Sequence, residues 1–286
     1  MTPAVTGVTG RLGGRISALL DAHGQVHLAL VRDRAKFADL PHHPHAEPRG
    51  PAAYDDHAAM SRSLAGADTL LLISGHLSGR RLEEHSTAID AAISVGVRRI
   101  IYVSLLGAAP DATYVNARDH AATESFLAGT GVDWTVLRPS YYPDMLLRYA
   151  DRGVVRGPAG QGRCAFVGHD DIAEVAVEVL ADRTGVYDGA TLPITGPEAL
   201  RVDEACHAAG LVFHDGAVPD GSPDAESWFR SIADGSVAEV SDVVPRLTGH
   251  EARSVAEVLA GQPGGDGAGS GSGTGSGVGS GSGTGG

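Results

Sequence analysis

The sequence predicts an α/β protein, a Rossmann-type doubly wound parallel sheet with a small C-terminal substrate lobe. Three observations carry this. Short apolar runs alternate repeatedly with helix-sized segments, which calls for parallel strands joined by right-handed crossovers. Two of the runs, Leu70-Leu71-Leu72-Ile73 and Ile100-Ile101-Tyr102-Val103, are apolar without alternation, as strands covered on both faces are. The first run passes directly into a glycine-rich turn and then a helix.

Taken in order, Ala4-Val5-Thr6 reads as the first strand. Gly7-Val8-Thr9-Gly10-Arg11-Leu12-Gly13 is the turn, and Ile16, Leu19 and Leu20 give the buried face of the helix after it. The spacing Gly7-x-x-Gly10-x-x-Gly13 differs from G-x-G-x-x-G. Each glycine still has a use: room to turn at Gly7, backbone approach to a phosphate at Gly10, close packing of helix on sheet at Gly13. Free N–H groups and the positive end of the helix dipole would meet there, which suits a pyrophosphate. The alternative is a plain strand-turn-helix connection with incidental glycines.

Gly24 stops the helix, and residues 26–31 form the second strand. Residues 41–51 read as a polar, proline-rich loop enclosing a degraded short strand. Tyr54-Asp55-Asp56 leads into a short helix carrying Met60 and Leu64. After the strand at 69–73 comes a helix over 82–95, closed by Gly96. The strand at 99–103 is followed by a helix over 117–127 and a strand over 134–137. Beyond Tyr142 the pattern loosens. A helix over 172–180 is expected, capped by Asp170 or Asp171, then a strand at 192–194, a helix over 202–209, a loose acidic region and a last helix near 255–259. Trp228 and Phe229, in the acidic region, read as core. The organisation expected is a nucleotide-binding domain over 1–150, a small substrate-side lobe over 151–262 with elements returning to the main domain, and a disordered Gly/Ser tail over 263–286.

A formal charge of −13 excludes non-specific nucleic-acid binding, which needs clustered Lys and Arg. The two cysteines, Cys164 and Cys206, form no C-x-x-C pair and imply a reducing compartment without a disulfide framework. No apolar run reaches membrane-spanning length, so a soluble cytoplasmic protein that does not bind membranes is expected. His42-His43-Pro44-His45 invites a metal reading, but prolines make the stretch irregular and no further ligand stands at helical spacing beside it. It reads as a solvated loop, and no metal is expected.

Ligands of doubly wound sheets bind beyond the carboxyl ends of the strands. Gly7, Arg32, Ile73-Ser74-Gly75, Ser104 and Arg138-Pro139 therefore form the candidate site. An acidic residue after the second strand bonds the ribose 2′-OH of NAD, whereas a basic one accepts the 2′-phosphate of NADP. Arg32, backed by Arg34 and Lys36, favours NADP(H) over NAD(H). The alternative is a solvated charged loop.

The stretches Thr6-Gly7-Val8-Thr9-Gly10-Arg11-Leu12-Gly13, Val31-Arg32-Asp33, Leu71-Leu72-Ile73-Ser74, Tyr102-Val103-Ser104-Leu105-Leu106 and Leu137-Arg138-Pro139 occur in this order. Together they resemble the NmrA-like atypical short-chain dehydrogenase/reductase family, and within it the NAD(P)H:quinone oxidoreductase 2-type proteins. The resemblance covers about residues 1–200 and returns at 239–242 and 246–249. It implies that Gly7, Val8, Thr9, Gly10, Arg11, Leu12 and Gly13 form the pyrophosphate loop and that Arg32 contacts the 2′-phosphate. It places Asp55 at the adenine edge, and Ile73, Ser74 and Gly75 along the adenosine ribose and phosphate. Ser104 comes near the nicotinamide, and Arg138, Pro139, Ser140, Tyr141 and Tyr142 run along the nicotinamide half.

The wider family uses Tyr-x-x-x-Lys, the lysine lowering the tyrosine pKa so that it works as acid or base. Here Tyr114 and Arg118 mimic the spacing, but the relatives' pattern, with Glu124 four residues on, puts His120 at the lysine position and Asn116 at the tyrosine position. The dyad is then absent. Reduction of a simple ketone gives an alkoxide that needs a positioned acid. Reduction of a quinone gives a phenol-like anion with a pKa of about 10, which water can protonate. The expected activity is hydride transfer from NADPH to a quinone or similar conjugated electrophile, a small-molecule electron acceptor. The alternative is a catalytically silent, NADP(H)-binding redox sensor of the NmrA type; a sugar-nucleotide epimerase is disfavoured by the missing dyad. The candidate catalytic residues are His120 and Tyr141. His120 either donates a hydrogen bond or lies on the surface; Tyr141 and Tyr142 either wall a flat pocket by stacking or pack against the small lobe. A homodimer is an open expectation, since nothing in the sequence reports oligomeric state.

Overall fold

A computed structural model describes residues 2–38, 43–75 and 79–261 of the chain. The expected tail over 263–286 lies outside them. The first half alternates as the apolar runs require: β1 (Pro3–Val5), α1 (Arg11–Ala22), β2 (His27–Leu30), α2 (Arg34–Ala38), β3 (Ala46–Arg49), α3 (His57–Leu64), β4 (Thr69–Ile73), α4 (Arg81–Ser94), β5 (Arg99–Val103), α5 (Val115–Ala128) and β6 (Asp133–Pro139). After a short α6 (Asp144–Tyr149) come β7 (Ala150–Asp151), β8 (Val154–Gly157), β9 (Arg163–Cys164) and α7 (His169–Ala181). The chain continues through β10 (Ala190–Ile194), β11 (Leu200–Arg201), α8 (Val202–Ala208), β12 (Val212–Asp215), α9 (Pro223–Ala233), α10 (Val243–Thr248) and α11 (Val255–Ala260).

The main sheet has seven strands in the order β10-β6-β5-β4-β1-β2-β3, and every neighbouring pair is parallel. The strand order reverses between β1 and β4, which opens the crevice where such sheets take ligands. β4 and β5 are the middle of the sheet, and their apolar runs are buried on both faces. Each fully buried Leu or Ile there contributes about 1.5–3 kcal/mol relative to exposure. One face packs under α1, α7 and α10 with Ile16, Leu20, Ile172, Val175 and Val244. The other packs under α3, α4 and α5 with Met60, Leu64, Ile89 and Leu127.

The short strand in the proline-rich loop is real. β3 lies at the sheet edge, parallel to β2, where Pro48 costs no ladder bond to a further strand. Two features of the second half differ from expectation. α7 begins at His169 with Gly168 as its cap residue, so Asp170 and Asp171 lie inside the first turn instead of capping it. Asp171 is fully buried and pairs with Arg253, which turns it from a cap into an anchor for the chain's last segment. The loose acidic region contains α9, whose Ser222 side chain accepts the Ala225 N–H and whose first position is Pro223.

Residues beyond β6 are shared between two cores. α7, β10 and α10 join the main sheet. β7, β8 and β12 form a small sheet, β9 and β11 pair, and with α6, α8, α9 and α11 they enclose a third core. Its centre is aromatic. Trp228 lies 4.9 Å from Tyr141, 4.8 Å from Phe229 and 5.2 Å from Tyr149 between ring centroids. Trp228 and Phe229 are thus core, as expected. Arg99 ties the two halves at the other end of the sheet. It is buried, donates to the carbonyls of Val179 and Asp182 (3.2 and 3.0 Å), and pairs with Asp188 at 3.1 Å. Replacing Trp228 by Ala leaves a large void among these rings and should destabilise the protein by about 3–5 kcal/mol, read as a lower midpoint in urea unfolding; an unchanged midpoint would contradict this core.

Candidate functional site

The site begins where β1 ends. The Thr6 hydroxyl accepts the Ile73 N–H at 2.8 Å and donates to the Leu71 carbonyl at 3.3 Å, so the exit of β1 is tied to that of β4 across the switch point. Gly7 then takes a φ of +66°, a conformation that costs other residues. The Gly10 N–H closes the turn on the Gly7 carbonyl at 2.8 Å. A Cβ on Gly13 would sit 2.3 Å from that same carbonyl oxygen, so only glycine lets α1 start this close to the turn. The first turn of α1 has no side-chain cap and no acidic residue. Its free N–H groups and dipole are left for an anion.

These residues line one side of a cleft of about 630 Å³. Its lining includes Gly7, Thr9, Gly10, Arg11, Leu12 and Gly13 from the turn and the start of α1, Ile73, Ser74 and Gly75 from the end of β4, and Arg32, Lys36 and Asp55. The cleft is the size of a small-molecule or cofactor site. An open helix N-terminus and two cations in one cleft match a dinucleotide phosphate and a ribose phosphate.

Other predicted residues lie elsewhere. Val8 turns its side chain into the core. Ser104 and Arg138, at the ends of β5 and β6, both bind Glu124 on α5: Ser104 Oγ donates to Oε1 at 2.5 Å, and Arg138 makes a bidentate pair at 2.9 and 2.5 Å. Pro139 is buried at the end of β6. Ser140 is buried, with its hydroxyl 3.6 Å from Cys164 Sγ. Tyr142 rests on the His169 ring at 4.2 Å. Tyr141 is a packing residue: its ring belongs to the third core, and its hydroxyl lies 2.6 Å from Ser231 Oγ. Ser231 donates to the Trp228 carbonyl, so the Tyr141 proton is committed to Ser231. Burial pushes that phenol well above its usual pKa. Arg11 reaches out of the turn to pair with Asp144 on α6.

His120 is not on the surface. It is 5% exposed, on the face of α5 between Asn116 and Glu124, with Nδ1 2.8 Å from the Tyr102 hydroxyl. Burial, and then the charge of Arg81, hold its pKa well below that of a free histidine. Asn116 donates to the Tyr114 hydroxyl at 2.7 Å and to Asp224 at 2.6 Å. Arg118 donates to the Ala112 carbonyl, so the Tyr114/Arg118 spacing makes no dyad. In the histidine-rich loop, among the described residues, His45 Nδ1 lies 3.0 Å from Asp21 and His43 Nδ1 3.7 Å from it; His42 lies outside them. Sequence reasoning missed Tyr54 and Glu84 in the cleft wall. Tyr54 donates to the Ile73 carbonyl at 2.7 Å, and the signal for it was its place beside Asp55 after the edge strand.

A family model described as NAD(P)H-binding matches residues 7–183. Quinone oxidoreductase 2 of Escherichia coli (strain K12) is 30% identical, the match covering 90% of this chain and 97% of that protein. An NAD(P)H azoreductase of Xenophilus azovorans is 29% identical over 88% of this chain and 95% of its own length. The crystal structure of the NADPH-dependent quinone oxidoreductase QOR2 of Escherichia coli complexed with NADPH superposes with a TM-score of 0.79 at 28% identity, covering 91% of this chain and 99% of that one. Among the described residues no helix is long and apolar enough to cross a membrane.

Two outcomes follow from this geometry. Gly13→Ala forces α1 away from the turn and should weaken dinucleotide binding at least about tenfold, measured by titration calorimetry; wild-type affinity would rule out the close approach. Burial lowers the pKa of His27, His85, His120 and His169, that of His85 to about 3. The unfolded chain therefore binds more protons below pH about 6.5, and stability present above that pH is lost as the medium is acidified. His250 is shifted up by the Glu251 carbonyl and Glu174 and acts in the opposite sense. Unfolding free energy from urea titrations should fall between pH 7 and pH 5; a rise over that interval would show that these rings are not held neutral.

Proposed function

Because the chain belongs to the NAD(P)H-binding family, we propose that it is an NADPH-dependent oxidoreductase whose acceptor is a quinone or a similarly conjugated electrophile. The observation that carries the cofactor half is the cleft, which an uncapped helix N-terminus, Arg32 and Lys36 line together. Bound there, NADPH supplies a hydride. The backbone of the Gly7–Gly13 turn would hold the diphosphate, and Arg32 and Lys36 the 2′-phosphate. Asp55 would stand at the adenine edge, and Ile73, Ser74 and Gly75 along the ribose. Glu124 holds Ser104 and Arg138 in place at the strand ends, where the nicotinamide and acceptor would meet.

The acceptor half rests on what the site lacks and on its relatives. Neither Asn116 nor His120 rebuilds a Tyr/Lys acid, and Tyr141 is committed to the core. A substrate whose reduced form is a delocalised anion needs no strong acid; the quinone oxidoreductase is named for an acceptor of that kind, and the azoreductase for another conjugated acceptor. In this reading residues 1–150 bind the nucleotide and 151–262 shape the acceptor side, with α7, β10 and α10 completing the main sheet. Cys164 and Cys206 are free and buried, which suits a reducing, cytoplasmic setting.

The test is steady-state NADPH oxidation with a panel of benzoquinones and naphthoquinones, set beside NADPH and NADH affinities. Turnover is expected, and Arg32→Ala should weaken NADPH about tenfold or more while leaving NADH nearly unchanged. Tight NADPH binding without turnover of any acceptor would favour the silent sensor; equal loss of both nucleotides would refute the 2′-phosphate contact.

A further inference from the structure

A buried polar line runs from Gly75, in the lining of the cleft, to His120, and beyond Gly75 none of its members belongs to the cofactor site. The Gly75 N–H points to His85 Nε2 at 3.2 Å. His85 Nδ1 lies 3.2 Å from Thr123 Oγ1 and 3.4 Å from the Tyr102 hydroxyl, which lies 2.8 Å from His120 Nδ1. His85, Thr123 and Tyr102 are fully buried, and His120 nearly so.

The protons along this line can be assigned in one direction. A backbone N–H can only donate, so His85 Nε2 is an acceptor and a neutral ring carries its proton on Nδ1. The Thr123 hydroxyl donates to the Asp119 carbonyl at 3.0 Å, so its oxygen accepts from His85. The Tyr102 oxygen faces the same Nδ1–H. Its own proton then goes to His120 Nδ1, the shortest contact of the line. With Nδ1 accepting, the proton of a neutral His120 is on Nε2, on the side of the ring away from Tyr102.

The charged groups around the line keep both rings neutral. From α4, Arg81 donates to the carbonyls of Gly75 and Asn116 at 3.3 and 3.5 Å and sets a positive charge beside them. From β6, Arg138 adds another, while the Glu124 carboxylate, the anion on the same face of α5, is already held by Arg138 and Ser104. Burial works in the same direction on both histidines and keeps the Tyr102 proton on oxygen.

We infer that Tyr102 and His85 are positioning residues that fix His120 as an Nε2–H hydrogen-bond donor to the acceptor atom that gains charge on reduction. This rests on the reductase reading above. His120 stands one turn before Glu124, whose partners mark the carboxyl ends of β5 and β6. A neutral imidazole holds its last proton too tightly to act as an acid, so it stabilises the anion without protonating it. The balance is then complete without a protein acid. The acceptor takes a hydride with its two electrons from NADPH, leaving NADP⁺. The resulting anion takes a proton from water, which leaves as hydroxide. Such a site selects acceptors whose anion is delocalised, because without a positioned acid the transition state towards a localised alkoxide must carry that charge unprotonated.

The test is long-range proton–nitrogen NMR of the full chain labelled with ¹⁵N-histidine, with and without NADPH, beside quinone-reduction kinetics. His120 is expected as the Nε2–H tautomer and His85 as Nδ1–H at neutral pH. Tyr102→Phe, which keeps the ring and removes only the hydroxyl, should release His120 into a mixture of tautomers and lower kcat about tenfold with KM for NADPH unchanged. His120→Gln, with an amide N–H near the Nε2 position, should retain most activity, and His120→Phe should lose about a hundredfold. An Nδ1–H or protonated His120, or a tautomer indifferent to Tyr102→Phe, overturns the assignment. The expected tautomers in a protein that reduces no acceptor would uphold the ring assignment and overturn the reductase reading instead.

Discussion

The structure depends on how closely α1 approaches the turn that leaves β1. With a Cβ at Gly13 the helix would have to retreat from the Gly7 carbonyl. With it would go the buried face of α1, against which α7 packs, with α10 packed on α7 in turn. The same approach sets the uncapped helix end over the switch point of the sheet, where Thr6 ties β1 to β4. One steric constraint therefore positions both a core layer and an anion site. The run of glycines is needed for packing as much as for binding.

What the sequence made legible follows the strength of local signals. The strands of the main sheet were readable because both faces are buried and polar residues are therefore scarce in them. Gly7, Arg32 and Ile73-Ser74-Gly75 of the cleft followed from strand-end positions alone, since topology fixes where ligands go in such a sheet. α9 was hidden by composition: its acidic surface drew attention from Ser222-Pro223, a cap followed by proline at the first helical position, which marks a helix start. The capping role of Asp170 or Asp171 failed because tertiary pairing with Arg253 outbid local capping for Asp171. Residues at Ser104, Arg138 and Tyr141 could be placed at strand ends from sequence, but their partners Glu124 and Ser231 are distant in the chain and left no periodic trace.

Tyr102 and His85 show a different kind of omission. Tyr102 sits among apolar neighbours and His85 shares a face of α4 with Ala88, Ile89 and Ala92, so periodicity reads both as core, and they are core. A buried phenol or imidazole still needs a partner for its polar atoms. The question to ask of Tyr102 within Ile100-Ile101-Tyr102-Val103 is which group receives its proton. Only the fold answers it, because the partner comes from α5, beyond the next loop.

The electrostatics of this region explain why the loss of the Tyr/Lys pair does not simply disable the site. A lysine at position 120 would bring a charge that lowers a neighbouring phenol's pKa. Here the neighbourhood already holds the cations Arg81 and Arg138, and the carboxylate of Glu124 is spent on Ser104 and Arg138. A second buried cation would be strongly disfavoured, so a neutral imidazole is the group the surroundings accept. Neutrality removes the strong acid and leaves a directional donor. The chemistry that remains is the kind in which the substrate, through conjugation, disperses the charge that hydride delivery creates.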